Sequence, residues 1–172
     1  MSIRDATPAD ADAIAAIYAY HVLHGTGTFE ETPPPASDMA ARIAHVQAAG
    51  WAWLVAEDAG TIQGYAYYSQ YRDRSAYRFA AEDSVYVRAD VVGQGVGKAL
   101  VAALLDRAQA AGFRQMLAVI GDSDNVGSIG LHVSLGFRPV GTLKSAGFKF
   151  GRWVDVVTMQ KPLGEGDRTL PA

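Results

Sequence analysis

Val85-Tyr86-Val87, followed by Gly93-Gln94-Gly95-Val96-Gly97-Lys98-Ala99-Leu100, decides how this chain reads. Three β-preferring residues, a glycine-rich turn and an Ala/Leu run spell strand, tight turn and helix start. Leu100, Ala103, Leu104 and Ala108 carry the helix on at its own period, and Gly112 closes it. A turn of this kind points free backbone N–H groups and the positive end of a helix dipole at one spot, which suits an anion. It is not a P-loop. Counting back from Gly97-Lys98 puts Val92 where the first glycine belongs, and Ala99 stands where the hydroxyl belongs. The dinucleotide fingerprint fails too, because Lys98 occupies the place of its last glycine.

Working outward, residues 51–57 and 62–69 read as two strands joined through Asp58-Ala59-Gly60. Upstream, Thr7, Pro8 and Asp10 open a helix that carries Ile14, Ile17 and Tyr18 and fades near Gly25. Residues 25–29 form a loop by composition, and Ser37-Asp38 caps a second helix that runs to Ala49. Downstream lie a strand over 116–120, a helix capped at Asp124-Asn125 and closed by Gly136, and strands near 138–143 and 154–159. This is one mixed α/β domain over residues 1–163, followed by a polar, loose tail over 164–172.

Lys and Arg total 15 against 18 Asp and Glu, a formal charge of −3, which argues against a general phosphate-backbone binder. It does not bear on a small anionic ligand, which needs only a local site. The absence of cysteine excludes disulfides, thiolate metal sites and a cysteine nucleophile, and fits a reducing compartment. His21, His24 and His45 lack metal-ligand spacing, so no metal is expected. No stretch reaches the roughly eighteen apolar residues of a membrane span, and the N-terminus lacks a signal-peptide core; a cytoplasmic protein is expected.

The strand and turn at 85–100 resemble the acetyl-CoA pyrophosphate loop of the GNAT acyltransferases. Asn125-Val126-Gly127-Ser128-Ile129-Gly130-Leu131-His132, with Leu135-Gly136-Phe137, resembles their second CoA-contacting helix. Within that family, three stretches resemble the phosphinothricin/methionine sulfoximine N-acetyltransferases. They are Gly25-Thr26-Gly27-Thr28-Phe29, Ala81-Glu82-Asp83-Ser84, and Gly147-Phe148-Lys149-Phe150-Gly151-Arg152-Trp153. The resemblance implies a mostly antiparallel twisted sheet flanked by helices, with CoA at its splayed middle strands. Its cofactor contacts fall on Val85, Tyr86, Val87, Gly93, Gln94, Gly95, Val96, Gly97, Lys98, Asn125 and Ser128. One departure is Val92, where the family carries a side-chain donor to the pyrophosphate, so backbone N–H groups must do more here. The resemblance also implies a homodimer.

Acetyl transfer to an amine needs a neutral nucleophile, so a base is required. Glu82, just ahead of the cofactor strand, is the candidate; pairing with a nearby arginine is its other possible role. His132 stands where many GNAT enzymes place a tyrosine that protonates the leaving thiolate; a packing role is the alternative. Arg72, Arg74 and Arg78 offer bidentate donors to an anionic amino acid, and the resemblance makes Arg72-Asp73-Arg74 the substrate loop. Asp83, Ser84 and Phe29 complete the expected acceptor set. Asn125 is either a helix cap or a CoA contact. The expected reaction is direct transfer from acetyl-CoA to the α-amine of a phosphinyl, sulfoximine or sulfone amino acid. The other readings are a different amine acceptor, such as a protein N-terminus, and a CoA-binding module without catalysis.

Overall fold

A computed structural model describes all 172 residues. Its strands are β1 (Ser2–Asp5), β2 (Trp53–Asp58), β3 (Thr61–Gln70), β4 (Ala80–Val87), β5 (Gln115–Gly121), β6 (Arg138–Lys149) and β7 (Arg152–Pro162). Its α-helices are α1 (Ala11–His24), α2 (Ala36–Ala48), α3 (Val96–Ala110) and α4 (Val126–Ser134). The strands form one sheet in the order β1-β2-β3-β4-β5-β7-β6. Every neighbouring pair is antiparallel except β4 and β5.

Helices cover both faces of the sheet, which explains why β2 is apolar without alternation. Leu54 and Ala56 face a core built on Leu100, Val101, Leu104 and Ala108 of α3. Trp53 and Val55 face a second core built on Ile14, Ile17 and Tyr18 of α1 and Met39 and Ile43 of α2.

The parallel pair is short. Ala80 pairs with Gln115 and the ladder ends at Asp83 and Ala118. β4 runs on to Val87 beside β3, and β5 runs on to Gly121 beside β7. The two middle strands therefore part like the arms of a V, leaving the inner edge of β4 over residues 84–87 unpaired.

Several sequence expectations shift at their ends. The sequence reading has no N-terminal strand, but β1 forms against β2 and is tied by Arg4, which donates to Asp10 at 2.8 and 2.9 Å and to Glu57 at 2.7 Å. Ser37 is not the cap of α2, since the helix begins at Ala36 with Pro35 before it. Strand β4 starts at Ala80, five residues ahead of the Val85-Tyr86-Val87 run. Strand β6 extends to Lys149 past an irregular register at Leu143/Gly147, where Ser145 takes φ +54°. In the 164–172 tail, Arg114 donates to the carbonyls of Gly166, Thr169 and Leu170.

Candidate active site

A cleft of about 820 Å³ opens along the V. On one side lie Val85, Tyr86 and Val87 of β4 and the turn ahead of α3; on the other lie Gly121 of β5 and Asn125 and Ser128 of α4. Gly93 and Gly95 both adopt φ +84°, a conformation that glycine takes without strain. A Cβ on either would meet nothing within 4 Å, so the backbone of the turn lies open to a ligand. No side chain caps α3, and its first-turn N–H groups at Val96, Gly97 and Lys98 have no intrahelical acceptor. The helix also packs tightly here: a Cβ on Gly97 would lie 2.8 Å from Leu131 of α4. These features fit a pyrophosphate held by backbone.

All the expected cofactor residues line this cleft except Gln94, whose N–H is turned to the Val91 carbonyl at 3.3 Å. Val92 sits at the mouth, 64% exposed. Asn125 proves to be the cap of α4: its Oδ1 accepts from the Ser128 N–H at 3.3 Å. Its Nδ2 makes one long bond, 3.4 Å, to the Gly121 carbonyl and is the group left to face the cleft.

Asp83 and His132 meet on the α3/α4 side. His132 Nε2 lies 2.9 Å from Asp83 Oδ2, and Nδ1 lies 2.7 Å from the Ser128 carbonyl. A carbonyl can only accept, so Nδ1 carries a hydrogen. The contact between Nε2 and the carboxylate must then hold a second proton. Burial works to lower the His132 pKa, but the hydrogen bond and charge of Asp83, with the Ser128 carbonyl, outweigh it and raise it. Neither ring nitrogen is free to face a substrate.

Glu82, one residue earlier, points to the opposite face, because strand residues alternate. It pairs across the sheet with Ser69 of β3 and Leu117 of β5. Its pKa is raised by burial and by the Asp83 charge, and Arg72 partly offsets this. Ser84 shares that face and pairs across the sheet with Tyr67 of β3.

The arginines divide. Arg72 is exposed, stacks 4.8 Å over Tyr71 and acts on Glu82 through its charge. The carbonyls of Arg72 and Arg74 are both held by Gln70 Nε2, at 2.6 and 3.0 Å. Arg78 donates one N–H to the Ser75 carbonyl at 3.1 Å and lies over the Phe79 ring. Asp73 lies on a second, smaller cleft with Arg42, Tyr67 and Ser69. Phe29 lies against Gly147, where a Cβ would come within 2.5 Å of its ring.

Two residues of the site escape sequence reasoning. His21, read there as packing or surface, lines the cleft, and its Nε2–H donates to the Val87 carbonyl at 2.7 Å. Asp122 accepts from Thr26 Oγ1 at 2.9 Å and pairs with Arg152 at 2.5 Å. No local motif marks either one.

Residues 3–158 match the model of the acetyltransferase (GNAT) domain. The chain belongs to the GNAT acetyltransferase family. The GNAT chain is 55% identical over 162 residues to the phosphinothricin N-acetyltransferase of Alcaligenes faecalis, covering 94% of this chain and 82% of that protein. It is 45% identical to the L-methionine sulfoximine/L-methionine sulfone acetyltransferase of Pseudomonas paraeruginosa, with 92% of each chain covered. The fold superimposes with a TM-score of 0.96 on a GNAT phosphinothricin acetyltransferase from Sinorhizobium meliloti solved in complex with AcCoA. That match spans 99% of this chain and 92% of the other, at 48% identity.

Proposed function

We propose that this protein transfers acetyl from acetyl-CoA to the α-amino group of a phosphinothricin-, methionine sulfoximine- or methionine sulfone-like amino acid. The observation that carries the reading is the V between β4 and β5, with its unpaired strand edge beside an uncapped, glycine-lined helix N-terminus. The names of the relatives supply the acceptor class.

When bound, acetyl-CoA supplies an acyl group on a thioester. In this reading the N–H groups of Gly93, Gly95, Val96, Gly97 and Lys98 hold the pyrophosphate, and the free edge of β4 over 85–87 pairs with the pantetheine amides. Arg72 and Arg74 orient the acceptor by its anionic groups, and Phe29 walls the pocket. Glu82 takes the proton from the acceptor ammonium, directly or through a water, and leaves a neutral amine. With His132 fully engaged, the proton it shares with Asp83 reaches the leaving thiolate by way of Asp83. The second proton, lost by the attacking nitrogen as the amide forms, replaces it on that pair by way of solvent. Transfer is direct, since the chain has no cysteine to carry an acyl group.

The proposal extends to a homodimer. β6 is an edge strand of the sheet, and Leu143, Phe148 and Trp153 on this hairpin are 63%, 57% and 66% exposed. A long apolar edge of this kind is normally covered. A cytoplasmic setting goes with the proposed acyl donor; no helix is long and apolar enough to cross a membrane.

The test is thiol release from acetyl-CoA with methionine sulfone, methionine sulfoximine and phosphinothricin as acceptors. Turnover with at least one is expected. Measurable acetyl-CoA binding without turnover on any of them overturns the acceptor class.

A further inference from the structure

Lys149, the last residue of β6, is only 1% exposed. Its Nζ donates to the carbonyls of Gly25 and Thr28, at 2.8 Å each, more than a hundred residues back along the chain. The acidic groups facing it, Glu30 and Glu31, act through charge at longer range, and the Phe150 ring centre lies 5.0 Å away. A buried ammonium without a contacting carboxylate is costly, and a lysine with no task would extend into solvent. Here that cost is borne for two bonds to a single loop.

The same loop is fastened elsewhere. Thr26 Oγ1 donates to Asp122, and Asp122 is clasped by Arg152. The Thr26 carbonyl lies against Gly121 so closely that a Cβ there would collide with it. Thr28 Oγ1 meets the Tyr18 hydroxyl at 2.7 Å, and the Tyr18 ring packs edge-on against Tyr86 of β4 with centroids 5.0 Å apart. The loop thus bridges from one arm of the V to the other. Its Gly25, Thr26 and Gly27 line the cleft, whereas the turn at 93–98 stands apart from these fastenings.

We propose that Lys149 is a positioning residue for the acyl donor: by holding the 25–28 loop across the open arms of β4 and β5, it presets the floor on which the pantetheine arm lies. This rests on reading the cleft as an acetyl-CoA site. Loss of the clamp then weakens the pantetheine half of the ligand and spares the nucleotide half.

The experiment is calorimetric titration of wild type and Lys149→Met with acetyl-CoA and with 3′-phospho-ADP, the nucleotide portion alone. The expected result is an acetyl-CoA Kd raised about fivefold or more, with the 3′-phospho-ADP Kd unchanged within about twofold, because only a preset pantetheine floor is lost. If the wild type binds both ligands but the variant weakens both equally, or neither, the role of Lys149 is overturned while the site stands. A wild type that binds neither overturns the reading of the cleft, and the proposal falls with it. Should Lys149→Met not fold, Lys149→Gln, whose amide can still donate to a carbonyl, is read by the same two titrations.

Discussion

At the scale of single residues, adjacent carboxylates on β4 serve opposite faces of the sheet. Glu82 is the proposed base, and a base works only when ionised. Its raised pKa places the rising limb of kcat/KM against pH above the ordinary carboxylate range. Glu82→Gln should cut kcat by about 100-fold or more while leaving acetyl-CoA affinity near wild type, as steady-state kinetics and titration will show. Removing the Arg72 charge takes away the influence that lowers this pKa. Arg72→Ala should therefore move the rising limb to higher pH and raise the acceptor KM. The neighbouring pair sets stability. His132 holds its proton more tightly folded than unfolded, so its contribution is fully present below about pH 6.5. That contribution fades as pH rises through the folded value. Denaturant melts over a pH series should show this loss, and His132→Gln should flatten it.

At the scale of elements, the 25–29 loop and the strands that carry it are tightly interlocked. Gly121→Ala would push a methyl group into the backbone of Thr26, which Asp122 and Lys149 prevent from moving. The three atoms nearest a Cβ on Gly147 all belong to the Phe29 ring, which is 41% exposed and has room to yield. Overpacking typically costs about 1–3 kcal/mol, and Gly121→Ala should lie at the upper end of that range and Gly147→Ala at the lower, measured by chemical denaturation. The sequence announces such arrangements unevenly. The turn at 93–98 is legible because its glycines, helix start and preceding strand are contiguous. The hairpin of β2 and β3 is legible because Asp58-Ala59-Gly60, between two β-rich runs, supplies a glycine where the turn takes positive φ. β1 is not, since Ser-Ile-Arg-Asp has one apolar residue and is held by partners some fifty residues away. Nor is the Asp83–His132 pair, 49 residues apart, or the Lys149 clamp: both exist only once the strands are side by side.

At the scale of the whole molecule, the β6–β7 hairpin leaves its outer surface bare. Light scattering should report twice the chain mass, and Trp153→Glu or Leu143→Glu should shift the population to monomer, since either would bury a carboxylate in the apolar contact. The sheet also has a second kind of bare edge, along residues 84–87 of β4. On the outside of a protein, such an edge is a template for fibres, because any extended chain can add to it. Here it lies within a cleft between α3, α4 and the 25–28 loop, in the middle of the sheet and away from its outer rims. A thin amide-bearing chain is the kind of guest it admits. The fold thus keeps the adhesiveness of an open strand for a metabolite and withholds it from other proteins.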